Sequence, residues 1–213
     1  MSLQLEHVTI AVNDRVLIRD LSARIEPGQV LAVMGPSGSG KSSLLAWVAG
    51  TLEAPFEARG RLLLDGRELS ILPIQQRRIG LLFQDDLLFP HMSVLGNLLF
   101  ALPAAAGAVA RASRIASAES ALTDAGLAGF AARLPSSLSG GQRSRISLLR
   151  ALLAAPAALL LDEPFSKLDA ALRGQMREFT FALLGARRVP TLLVTHDEAD
   201  VPTGAQIVRL EHA

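Results

Sequence analysis

The sequence predicts an α/β fold built around a largely parallel sheet, and three observations carry that expectation. Apolar strand-like segments alternate with helix-like segments through much of the 213 residues, the pattern of strands joined by crossover helices. One segment, Val30 to Met34, is apolar at every position, as a strand buried on both faces has to be. From Asp85 to about Ser137 alanine dominates and strand formers thin out, which marks a helical lobe inserted into a sheet-bearing core.

The elements follow in order. Leu3, Leu5, Val8, Ile10 and Val12 alternate with polar residues, as in a half-exposed sheet, and Leu17 to Ile25 continues it. After the buried strand ends at Gly35, Lys41 to Ala49 reads as a helix stopped by Gly50. Leu62 to Leu64 before Asp65-Gly66 is a strand entering a tight turn, and Ile79 to Phe83 is a further short strand. In the lobe, Ser113 to Ala125 before Gly126 has a helical stop. A helix from about Gly141 to Ala154 is halted by Pro156, and the apolar strand Ala158 to Leu161 follows. A helix over Asp169 to Leu184 and strands at Thr191 to Val194 and Gln206 to Leu210 complete the pattern.

Composition removes several classes of function. With 21 Lys+Arg against 20 Asp+Glu the net charge is +1, which leaves no electrostatic footprint for direct nucleic-acid binding. The absence of Cys excludes a disulfide scaffold, a thiolate metal site and a Cys nucleophile. The start, MSLQLEHVTI, has neither the basic nor the apolar region of a secretory signal, so an intracellular location is expected. Leu87 to Ala110 holds no Asp, Glu, Lys or Arg and is long enough to span a bilayer. It also holds Pro90, His91, Ser93, Asn97, Pro103 and Gly107, which suit a loop and helices packed on a core better than a membrane span. Only Lys41 and Lys167 are lysines, so any function needing an ammonium has two candidates.

Gly35-Pro36-Ser37-Gly38-Ser39-Gly40-Lys41-Ser42 fits G-x-x-x-x-G-K-[ST] and lies between a buried strand and a helix, where a phosphate-binding loop has to be. Such a loop turns backbone N–H groups inward around phosphate oxygens, and the helix beyond it adds its positive N-terminal end. Lys41 is expected to reach the β- and γ-phosphates, and the Ser42 hydroxyl, followed by Ser43, to ligate Mg²⁺. The bland alternative is a ligand-free Gly/Ser turn, and the strand and helix on either side weigh against it. The dinucleotide fingerprint G-x-G-x-x-G is absent, since Gly38 and Gly40 are followed by Ser43.

Leu159-Leu160-Leu161-Asp162-Glu163 delivers two carboxylates at the carboxyl end of an apolar strand, where parallel sheets bind ligands. Asp162 suits the shell of a Mg²⁺ ion and Glu163 a general base for water, against the simpler alternative of a helix cap.

Leu138-Ser139-Gly140-Gly141-Gln142, followed by Arg143 and a helix, resembles the signature of ATP-binding cassette (ABC) ATPases. The order of elements matches as well: phosphate loop, Gln84, signature, Asp162-Glu163, Ser166-Lys167-Leu168-Asp169 and His196. The resemblance implies a P-loop NTPase core with a mixed, largely parallel sheet, an antiparallel β subdomain and an inserted α-helical lobe. It implies one ATPase domain over residues 1–213, with a RecA-like core at about 1–85 and 141–213 and the lobe at about 86–140. ATP and Mg²⁺ are the implied ligands, with Ser42, Gln84 and Asp162 around the metal and Glu163, His196 and Gln84 at the attacking water. Ser139, Gly140, Gly141 and Gln142 would cap the γ-phosphate held by a second copy, giving a head-to-tail pair on two ATP. Alone, Gln84 and His196 read as ordinary strand-end residues, so their roles come from the resemblance. Asp169 would carry communication between the two sites, and Lys167 reads as a solvated surface residue.

Within the family, Leu81 to His91 is similar to the Gln-loop of small bacterial importers of the thiamine, sulfate or iron type. That implies transmembrane permease partners, a periplasmic solute-binding protein, and a peripheral place on the cytoplasmic face of the inner membrane. The same ATPase chemistry would serve an exporter. A soluble cassette acting on nucleic acid or ribosomes would call for tandem cassettes, an insertion or a basic extension.

One position departs from the family pattern. An aromatic side chain that stacks on adenine usually stands where this chain has Val12, and here there is no Tyr and Trp47 is the first Trp or Phe. Adenine is then expected to rest on apolar contacts from Val12 and Val16, without a stack worth about 1–3 kcal/mol. ATP and GTP are expected to compete for the site with little discrimination. A competition assay showing the stringency of a cassette that has the aromatic would overturn this.

Overall fold

A computed structural model describes residues 1–103 and 108–211 of the chain. Gly107, one of the breaks in the uncharged stretch, lies outside the described residues. The chain divides into two compact units, one of Met1–Leu81, Ala157–Pro164 and Phe181–Ala213, the other of Leu82–Pro156 and Phe165–Thr180.

The first unit holds two sheets. Strands β1 (Leu3–Val12), β2 (Arg15–Ile25), β4 (Phe56–Leu64) and β5 (Arg67–Glu68) form a sheet ordered β2-β1-β4-β5, with β1 antiparallel to both β2 and β4. The other sheet, among the described residues, is ordered β6-β7-β8-β3-β9. It uses β3 (Val30–Met34), β6 (Ile79–Leu82), β7 (Ala158–Asp162), β8 (Thr191–Thr195) and β9 (Gln206–Arg209). Pairings β3 with β8, β3 with β9, and β7 with β8 are all parallel. Every residue of β3 and β8 is buried, as the unbroken apolar run of β3 requires; in β8 the buried Thr191 and Thr195 flank an apolar centre. The α/β class with a parallel sheet and an antiparallel subdomain is therefore what the chain adopts.

Most expected elements stand within a few residues of their places, and the largest difference is β4. It begins at Phe56, well before Leu62, because β1 offers a full-length partner: Leu3 pairs with Leu64 at one end and Val12 with Phe56 at the other. Polar Glu57, Arg59 and Arg61 hid this half of the strand, which has one largely solvated face. After β8, Glu198 to Asp200 forms only a single 3₁₀ turn.

The core is a continuous cluster from both sheets and α1 (Lys41–Ala49), including Leu5, Ile10, Ile18, Val33, Leu44, Val48, Leu160 and Val194. Helix α1 ends at left-handed Gly50, whose N–H donates to the Ala46 and Trp47 carbonyls. Arg77, 7% exposed at the end of the short helix α2 (Ile74–Arg77), completes that end. Its Nη1 donates to the carbonyls of Trp47 at 2.7 Å and Val48 at 3.0 Å. Its Nε donates to Leu72 O at 2.9 Å and its Nη2 to Ser70 O at 2.9 Å. Burial pushes this guanidinium below its usual pKa, and the negative end of α1 favours keeping the charge.

In the second unit, α3 (Val94–Ala101) and α4 (Ala108–Asp124) follow a loop, as expected for the uncharged stretch and the Ser113 to Ala125 helix, and α5 (Gly140–Leu153) is the helix expected at about Gly141 to Ala154. No helix of the described residues is long and apolar enough to cross a membrane. Fully buried Asn97 holds the preceding loop: its Oδ1 accepts from Phe89 N–H, and its amide donates to the Phe89, Met92 and Ser93 carbonyls. Helix α6 (Ala170–Arg187) begins after Asp169, whose carboxylate caps it by accepting from Leu172 N–H at 3.0 Å.

Replacing Arg77 with Met is expected to strip donors from the end of α1 and cost on the order of 3 kcal/mol, read as a lower urea midpoint. An unchanged midpoint would show that these carbonyls are satisfied without it.

Candidate functional site

The phosphate loop lies between β3 and α1. Gly40 is the helix N-cap in a left-handed conformation, φ 96°, and a Cβ there would stand 2.9 Å from Leu17 Cβ, so both backbone and space require glycine. No side chain caps α1 and its first turn has no acid, leaving the N-terminal N–H groups for an anion. Lys41 is buried and folds back on the loop, its Nζ donating to Gly35 O at 2.6 Å and Pro36 O at 2.8 Å. The ammonium thus holds its own loop in shape at the helix start. Ser42 is exposed and Ser43 half-buried, whereas Ser39 is fully buried and its hydroxyl meets no partner among the described residues.

A cavity of about 410 Å³ joins this loop to the strand ends. Ser37, Gly38, Gly40, Lys41, Ser42 and Ser43 line one part, with Glu163; Val12, Arg15, Leu17 and Phe56 line the rest. Val12 is therefore at the cavity as expected. Val16 is not: it lines the two neighbouring grooves, because successive residues of β2 face opposite ways and Leu17 takes the position assigned to it. Phe56 went unnoticed in the sequence. Its place follows from pairing with Val12 across β1 and β4, which sets both side chains on one face.

Asp162 is the last residue of β7 and is half-buried. Burial raises its pKa above the usual carboxylate value, adjacent Glu163 raises it further, and Lys41 acts in the opposite direction. Glu163 follows with φ 45°, a left-handed conformation unusual outside glycine, and its N–H donates to Val194 O at 3.0 Å. That bend places its carboxylate 3.1 Å from His196 Nδ1, an exposed imidazole just beyond β8. Ser42 at the start of α1 and Asp162 at the end of β7 are both oxygen donors, the chemistry that suits Mg²⁺, which keeps several waters and takes phosphate oxygens as well.

The remaining expected residues are in the second unit. Ser139 is the N-cap of α5 and forms a capping box: its N–H donates to Gln142 Oε1 at 2.9 Å and its Oγ accepts from Gln142 N–H at 3.4 Å. Gly141 packs closely on Leu172, whose side chain would have to move for a Cβ that came within 2.5 Å of its Cδ1, whereas Gly140 has room. Gln84 is exposed and its amide donates to Ser166 Oγ at 2.8 Å. Beside it, Lys167 is exposed as expected but ion-pairs with Asp85, so two adjacent bonds tie residues 84–85 to 166–167. One face of α5 also grips the next residues: Arg143 and Ser144 bond the Asp86 carboxylate, Ser147 Oγ donates to Asp86 O, and Arg150 donates to Leu87 O.

A phosphate loop, a half-buried carboxylate and a Glu–His pair at the ends of parallel strands define a nucleotide-binding ATPase. The family described as ABC transporter matches residues 18–166, and the chain belongs to that family. It is an ABC transporter ATP-binding subunit with ATPase activity. It is 44% identical over 203 residues to the uncharacterized ABC transporter ATP-binding protein YnjD of Escherichia coli K12, covering 95% of this chain and 92% of that one. It is 39% identical to the sulfate/thiosulfate import ATP-binding protein CysA 1 of Chromobacterium violaceum, covering 100% of this chain and 59% of that one. It is 42% identical to the Fe(3+) ions import ATP-binding protein FbpC of Agrobacterium fabrum, covering 85% of this chain and 50% of that one. The chain thus spans 59% and 50% of the length of these two import proteins.

Asp162 gives the site a pH signature. Its pKa is raised on folding, so its contribution to stability is fully present below the ordinary carboxylate pKa and is lost as pH rises through the raised value. Asp162→Asn removes that loss. Nucleotide-free Asp162→Asn is expected to melt above the wild type at neutral pH, with the gap closing as pH falls; a pH-independent gap would exclude this origin.

Proposed function

We propose that the chain is the ATP-hydrolysing subunit of an importer, one ABC ATPase domain over residues 1–213 with a RecA-like core and a helical lobe. The observation that carries the hydrolytic reading is that Glu163, held 3.1 Å from His196 Nδ1, lines the same cavity as Lys41 and Ser42. The loop N–H groups and Lys41 bind the β- and γ-phosphates, and Ser42 and Asp162 hold Mg²⁺. That ion neutralises charge on the phosphates when bound. Glu163 polarises the attacking water and takes its proton at the carboxylate, with His196 orienting it. Gln84 takes part at metal and water through its side-chain oxygen, while its amide N–H₂ donates to Ser166 Oγ.

The cavity is open to solvent, and a second copy would exclude water from it. Ser139, Gly140 and the N-terminus of α5 supply an anion-binding end for the γ-phosphate on the other subunit, giving a head-to-tail homodimer with two ATP. Closure on ATP and opening after hydrolysis would rock permease subunits docked on the second unit. Phe83, Leu87 and Phe100 there are large apolar side chains 45%, 55% and 65% exposed, suited to a membrane subunit's cytoplasmic helix. The sulfate/thiosulfate and Fe(3+) import roles named for the relatives support import, with a periplasmic solute-binding protein in the same system and this subunit on the cytoplasmic face of the inner membrane.

Glu163→Gln tests the mechanism. It is expected to bind ATP normally, to hydrolyse it about 10²–10⁴-fold more slowly, and to elute as a dimer in ATP on size-exclusion chromatography. Monomers under saturating ATP would overturn the shared site.

A further inference from the structure

A nucleotide whose phosphates occupy the loop must place its base somewhere, and the cavity offers one direction that is not phosphate-binding. Away from Ser37 to Ser43 its wall is Val12, Leu17 and Phe56, with Arg15. Of these only Phe56 has a ring. It is half-buried, packs by one part against the core cluster, and lines both this cavity and an adjoining one of about 550 Å³. The ring is thus anchored yet open on the cavity side.

Its position has a clear structural cause. Val12 ends β1 and Phe56 starts β4, and the two are direct partners in an antiparallel pair, so their side chains stand on the same face. Gly40 closes against Leu17 Cβ, which ties the same wall to the phosphate loop. An aromatic ring beside the apolar side chains of Val12 and Leu17, at the end of a cavity whose other end is lined by the phosphate loop, is the chemistry that takes a nucleobase.

We propose that Phe56, delivered by β4, is the base-stacking residue of this site and stands in for the aromatic absent from Val12. The proposal rests on the ATP-site reading above and deepens it. It corrects the expectation that Val12 and Val16 alone carry the base. Stacking tolerates any base, so Phe56 adds affinity without choosing adenine over guanine.

The test compares ATP with inorganic tripolyphosphate, which has the phosphates and no base, by calorimetry on the full chain. Phe56→Ala is expected to weaken ATP binding about 5- to 150-fold, the range of one base–aromatic stack, and to leave tripolyphosphate binding unchanged. Phe56→Trp is expected to restore ATP affinity. Because Phe56 also packs on the core, tripolyphosphate serves as the control for folding. Equal losses of both ligands, or unchanged ATP affinity in Phe56→Ala, would overturn the stacking role. Failure of the underlying reading looks different: the wild type would bind neither ligand, or Lys41→Ala would bind both as well as the wild type.

Discussion

Met34 on β3 pairs with Thr195 on β8, and Val194 on β8 pairs with Asp162 on β7. That parallel register is the constraint on which the site depends, because each chemical group lies at or just past a paired strand end. Gly35 opens the phosphate loop after Met34, His196 follows Thr195, and Glu163 follows Asp162. Slipping one strand by a residue would misfit its side chains against the packed layers on both faces and separate Glu163 from His196. Full burial of β3 and β8 is what makes such a slip costly, so the precision of the site comes from the core beneath it.

Charges at this edge are arranged against one another. Lys41 is buried and satisfied by two loop carbonyls, while Asp162 is pushed toward its neutral form by burial and by Glu163. A bound nucleotide with a cation would change both terms, since phosphate oxygens would compete with the carbonyls for the ammonium and a cation would favour an ionised Asp162. The left-handed backbone at Glu163 belongs to the same balance. Strain there is tolerable only because β7 and β8 and the Glu163 N–H bond to Val194 hold the turn on both sides.

What could be read from sequence was local. The phosphate loop, the Asp162-Glu163 pair and the signature are contiguous, and their strand and helix contexts follow from hydropathy alone. Phe56 escaped because its role depends on β1 and β4 pairing along their whole length, and polar Glu57 and Arg59 disguise the start of β4. The position of Val16 is hidden for a related reason: its register with β1 after the tight turn at Asn13 and Asp14 pairs it with Ala11, and so sets it in a neighbouring groove. Lys167, exposed as expected, finds Asp85 only through the fold of the second unit.

The signature segment shows how a functional motif can also be a structural one. Leu138 is buried, Ser139 and Gln142 satisfy each other's backbone in the capping box, and Gly141 gives Leu172 its space. Loss of activity on changing Gly141 would therefore report packing as readily as nucleotide contact. Gly140 is different, since a Cβ there meets nothing nearer than Arg143 Nη2 at 4.0 Å. A side chain at Gly140 would leave the fold of α5 intact while shielding the N–H groups at its start, so this position separates the proposed anion-binding role of the segment from its structural one.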